Sequence, residues 1–239
     1  MPAYDPELLE TRLSWMAAGG AWFDSQLALL SDDDLAGHSR LPGWTRGHVA
    51  SHLARNADAL VNLCDWARTG VEHPMYESPS HRAQAIATGS ARPGSEIRAD
   101  ALLRADALSA ELSAMTVRDW SAEVRTARDR PIPAADIPWM RVREVWVHGV
   151  DLAAGGGFFD LPADVARALA VDAVSWFSGR DDAPGVSIGL DGSAERLSFG
   201  SAEPLQVHGT PQAAAAWLLR GDTSGIVASG PLPKLPPWL

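Results

Sequence analysis

Within "WMRVREVWVHGVDL", residues 139–152, a glutamate and a histidine stand four apart among Trp and Val. A helix turns about 100° per residue, so Glu144 and His148 point the same way, roughly 40° apart. A second histidine, His52, falls on one stripe with Val49, Leu53, Asn56 and Leu60, the face that a helix there turns inward. Singly, each has an ordinary explanation: a core His satisfies a backbone carbonyl or a nearby acid, and Arg141 and Arg143 could pair with Glu144 on a helix surface. Together, two neutral imidazoles and one carboxylate make a common three-ligand set for a divalent metal, and a coordination position stays open for chemistry. The surface-pairing explanation leaves both histidines unaccounted for.

These residues need two helices to carry them. A helix is predicted from Thr45, a plausible N-cap with Trp44 and Val49 as a staple, to about Arg68, with Gly70 as its stop. The helix bearing Glu144 and His148 begins near Asp136 and Pro138 and ends before Gly155–Gly157. Two more fill out the set. One follows the Asp5–Pro6 cap to about residue 30, with a possible bend at Gly19–Gly20, and one runs through "IRADALLRADALSAEL". A short helix from Ser80 sits in the loop-rich stretch between. The expected architecture is an antiparallel four-helix bundle over 1–157.

Past the glycine run the texture changes. A helix over about 162–178 leads to alternating Val186, Ile188 and Leu190, an Asp191–Gly192 turn, and a second strand. "LQVHG" reads as a third strand, Thr210–Pro211 caps a helix through "AAAAWLLR", and Gly221 ends it. Residues 158–239 are therefore expected to form a small α+β domain closed by a Pro-rich extended strap. The fold class is mainly α, with an α+β second domain.

The 239 residues, 46% hydrophobic, hold 30 acidic against 20 basic side chains. That balance disfavours nucleic acid or an anionic membrane as partner and favours a small molecule. No secretory leader or spanning apolar run is read, and Cys64 is the single cysteine. A cytoplasmic protein, expected to be a monomer, follows. Cys64 continues the apolar side of its helix and reads as an inert buried thiol. His38, His48, His73, His81 and His208 read as loop or surface residues, and the ten Trp as packing.

"GWTRGHVASHLARNADAL", "PMYESPSHRAQAIATGS" and "WMRVREVWVHGVDL", with "LLRGDTSG" and "PPWL" more loosely, resemble the mycothiol-dependent maleylpyruvate isomerases of the DinB-like superfamily. The resemblance covers nearly the whole chain. It implies a DinB-like bundle followed by a sterol-carrier-like α/β domain, with zinc on His52, Glu144 and His148 and mycothiol as the low-molecular-weight thiol. It also implies two arginines that bind the dicarboxylate substrate, matching Arg82 and Arg220, since forked guanidinium donors hold a carboxylate in fixed orientation. The implied reaction is cis-trans isomerisation of maleylpyruvate to fumarylpyruvate by thiolate addition, rotation and elimination, a step of gentisate-type aromatic degradation. Nickel or cobalt in place of zinc stays open. So do a DinB-like mycothiol S-transferase and a non-catalytic metal- or ligand-binding module. The mycothiol-contacting residues are not identified.

Overall fold

The computed structural model describes residues 4–200 and 203–238, so Leu239 of the closing "PPWL" lies outside it. The chain divides into two compact units, Met1–Gly156 and Gly157–Leu239.

In the first unit, α1 (Pro6–Ala28) starts where the Asp5 carboxylate accepts from the backbone N–H groups of Glu7 and Leu8. The sequence allows a bend at Gly19–Gly20, but the helix runs through unbroken. Gly19 serves contact instead: a Cβ there would come within 2.5 Å of Trp146 Nε1. α2 (Arg46–Thr69) begins at Thr45, whose side chain accepts from His48 N–H while the His48 ring accepts from Thr45 N–H. His48 thus fills the place that Glu or Gln takes in the usual capping box. Gly70, at φ 72°, ends the helix in the left-handed conformation that a side chain resists.

α3 (Pro79–Ser90) and α4 (Gly94–Ser113) follow, then the single turn α5 (Val117–Trp120). Next comes a small antiparallel hairpin, β1 (Glu123–Arg125) with β2 (Pro131–Pro133), before α6 (Ile137–Asp151). The hairpin was not legible in the sequence. Its strands are three residues long, with Pro at both ends of β2, and carry no alternating run.

α2 is the central helix, packed against α3, α4 and α6, while α1 lies along α6. The apolar core gathers Leu60, Leu63 and Cys64 of α2 with Leu108 and Leu112 of α4, Trp120 and Ile137. No helix among the described residues is long and apolar enough to cross a membrane.

The second unit places α7 (Ala163–Ser178) and α8 (Pro211–Arg220) together beside a four-stranded sheet. The strands are β3 (Val186–Leu190), β4 (Arg196–Phe199), β5 (Leu205–Gly209) and β6 (Val227–Ala228), in the order β4-β3-β5-β6. β3 and β4 form the expected antiparallel hairpin, with Gly192 at φ 78° in its turn. β5 then runs parallel to β3, a pairing that local turn signals cannot reveal. Phe177 of α7 stacks on Phe199 at 5.0 Å. All five residues of β3 are buried, Ser187 included, because Arg196 lies across the opposite face and bonds to Ser187 Oγ (2.9 Å) and its carbonyl (2.8 Å).

Candidate metal centre

α2 and α6 bring the three residues together. His52 is 4% exposed, and its Nε2 lies 2.9 Å from Glu144 Oε2. His148, one turn beyond Glu144, places its Nε2 3.3 Å from the same oxygen. The two imidazoles meet edge to face at 4.8 Å. One donor atom from each of the three residues falls within 4.8 Å of the others, the one such group among the described residues. The Glu144 side chain keeps 24% exposure against 5% for His52, so the cluster opens toward solvent at the carboxylate edge.

Arg141 fixes the register between the two helices. It is buried, and its Nη1 donates to the Leu53 carbonyl at 2.8 Å and to Asn56 Oδ1 at 2.9 Å, one residue and one turn past His52. Burial holds its pKa down to about 10, so it remains a cation at neutral pH. The sequence allowed Arg141 as a surface partner for Glu144. It is instead an interior clamp on α2, and the carboxylate oxygen meets the two imidazoles.

Arg82, from the first turn of α3, reaches the same place: its Nη2 lies 3.2 Å from His52 Nδ1, and its guanidinium stands 5.5 Å over the Tyr76 ring. The Tyr76 hydroxyl faces both Arg82 and Asn56, and burial raises its pKa. A guanidinium can only donate. His52 Nδ1 therefore accepts, and the neutral ring carries its proton on Nε2, facing Glu144. His148 is set the other way, its Nδ1 donating to Asp151 Oδ2 at 2.8 Å and its Nε2 turned to the centre.

Burial lowers the pKa of His52. Burial alone would raise Glu144, but the facing imidazoles outweigh it and hold the carboxyl well below its ordinary range. For His148 burial favours the neutral ring, yet hydrogen bonds to Asp151 and Glu144 prevail and raise its pKa. The result is an ionised carboxylate facing the Nε2 atoms of both imidazoles, with His148 engaged at Nδ1 by Asp151 as well.

Of the five residues singled out in the sequence, the structure thus gathers His52, Glu144, His148 and Arg82. Arg220 belongs to the second unit, at the end of α8, where its Nη1 donates to the Leu219 carbonyl at 2.8 Å. Sequence reading missed Asp151, Tyr76 and the clamp by Arg141. Asp151 carried a signal, since it follows His148 by three on the same helix face. Tyr76 carried none, because a loop brings it in.

A helical bundle in which two imidazoles and a carboxylate converge from two neighbouring helices is compatible with a cation held among its helices. The family follows from comparison: residues 16–153 match the model of the mycothiol maleylpyruvate isomerase N-terminal domain, and the chain belongs to that family. Two solved structures are similar to it over its length, one of the mycothiol-dependent maleylpyruvate isomerase and one of its H52A mutant. Each shares 34% identity at a TM-score of 0.91, with 96% of this chain and 97% of the other covered. No protein of curated function matches the chain.

Proposed function

We propose that the chain is a cytosolic, mycothiol-dependent maleylpyruvate isomerase with zinc held by His52, Glu144 and His148. The observation that carries this reading is the convergence of three metal-type donors, with Arg82 beside them, in a chain that aligns with such an isomerase over 96% of its length. The donor set fits the ion: two imidazole nitrogens and one carboxylate oxygen leave a position open, as catalytic zinc sites do. Zinc there would supply a bound thiol as its thiolate at neutral pH, the nucleophile whose reversible addition to the cis double bond would permit rotation before elimination.

The protein's own residues do the rest. Cys64 cannot replace the external thiol, because it is fully buried and burial pushes its pKa up to about 12. Were a cation to take the His52 Nε2 lone pair, the ring proton would sit on Nδ1, facing the donors of Arg82. The guanidinium would then give up that contact, and its fork would be free for a substrate carboxylate beside the centre. Arg220 is assigned to the second carboxylate, and Arg220→Ala should then lower kcat/KM while metal content persists. A variant with normal turnover would remove Arg220 from the site.

The test is to incubate zinc-loaded protein with maleylpyruvate, with and without mycothiol, and to follow the absorbance of substrate and product. Isomerisation that needs the thiol catalytically, and stops on chelation, supports the reading. Stoichiometric loss of thiol would make the protein an S-transferase instead. Turnover indifferent to chelation would refute the metal assignment.

A further inference from the structure

Asp151 is the last residue of α6 and is fully buried. Fold stability alone argues against an acid there. The C-terminal turn of a helix carries the negative end of its dipole, and a buried carboxylate loses its hydration, so this position favours a cation or an apolar side chain. What the acid gains is His148. Its Oδ2 accepts from His148 Nδ1 at 2.8 Å, within a single turn of one helix.

The backbone that carries this carboxylate is also anchored. The segment leading into α2 grips this helix end: Arg40 N–H donates to the Asp151 carbonyl at 2.9 Å, and Arg46 donates to the carbonyls of Leu152 (2.9 Å) and Ala153 (3.1 Å). The same segment runs straight on to His52. Asp151 is thereby fixed relative to both histidines.

We propose that Asp151 is the positioning residue of the metal centre. Its carboxylate selects the His148 tautomer with the proton on Nδ1, fixes the ring plane, and presents the Nε2 lone pair to the cation as a stronger donor. The two imidazoles are then unequal. His148 is set for coordination in advance, whereas His52 has its Nδ1 against the Arg82 guanidinium and must change tautomer to bind through Nε2. The inference rests on the metal reading given above, and it assigns the role that the three donors alone leave unfilled.

Two measurements test it, neither of which uses turnover. The first is the zinc dissociation constant of the full chain, by competition with a chromophoric chelator. Asp151→Asn keeps shape and an acceptor oxygen but loses the charge, and should bind zinc about 10- to 100-fold more weakly, with the metal-free melting temperature little changed. Asp151→Ala leaves the His148 N–H unpaired and should lose more. Unchanged affinity in a folded Asp151→Asn protein would overturn the proposal and leave the three ligands standing. Failure of the unsubstituted protein to bind zinc would overturn both. The second measurement needs no variant: long-range proton–nitrogen spectra of the metal-free protein, with imidazole nitrogens labelled, report each tautomer. Protonated Nδ1 on His148, with Nε2 bare or protonated toward Glu144 while no metal is bound, supports the assignment, and a bare Nδ1 refutes it.

Discussion

Gly149 stands between His148 and Val150 on α6, facing Trp22 of α1. A Cβ built on it would lie 2.2 Å from Trp22 Cζ3 and 2.7 Å from Cε3, well inside the ~3.5–4.0 Å at which carbon atoms attract. The ring has little room to yield. It stacks on Trp146 at 5.2 Å and 26°, and a Cβ on Gly156 would meet it again at 2.8 Å. In Gly149→Ala two effects oppose each other. The alanine gains about 1 kcal/mol of helix propensity, and overpacking costs about 1–3 kcal/mol, at the upper end here because a ring rather than a flexible chain must move. The net expectation is a loss of ~2 kcal/mol, which for a unit of this size lowers Tm by roughly 4–8 °C. Thermal unfolding of the metal-free protein, followed by circular dichroism, measures it. A Tm equal to or above that of the parent would show that α1 and α6 do not approach as described.

The remaining predictions concern the centre and the charges around it. Arg82→Ala should lower kcat/KM on the order of a hundredfold, ~2–3 kcal/mol, with zinc content unchanged, and Arg82→Lys should recover part of the loss; kinetics beside metal analysis checks both. Cys64, with its pKa pushed up to about 12, should resist iodoacetamide at pH 8 in the folded protein and react once the chain is denatured, as mass spectrometry would read. Asp100 is gripped by Arg92, Arg55 and Arg104 at 2.5, 3.1 and 3.3 Å, and although burial opposes it, these guanidiniums hold its carboxyl below the ordinary range. A depressed folded pKa gives stability that is present above the unfolded value near ~3.9 and lost as pH falls through the folded one. Asp100→Asn should therefore cost about 1 kcal/mol at pH 7 after solvent screening, with the difference from the parent closing below pH ~4 in denaturant titrations.

Helix ends were the most legible part of the fold, because their chemistry is local. Asp5–Pro6, Thr45, Gly70, Thr210–Pro211 and Gly221 each sit at a boundary that needs only the residues beside it. The pair Glu144–His148 was legible for the same reason, since spacing on one helix sets direction. What the sequence could not show is set by distant contact. The parallel pairing of β5 with β3 depends on how the chain returns past β4. Gly19 reads as a bend until Trp146 is seen against it. Arg141 reads as surface charge until the Leu53 carbonyl is placed beside it, 88 positions earlier. His52 was legible only as a polar residue on an apolar stripe, and its partners came with the packing of α2 on α6.

The most direct test of the account is optical. Cobalt in place of zinc should occupy the centre in one-to-one ratio, and adding mycothiol without substrate should then produce a sulfur-to-cobalt charge-transfer band that saturates at one equivalent. That result places the thiol on the cation held by His52, Glu144 and His148. A protein that holds cobalt but shows no new band at saturating mycothiol would contradict the account.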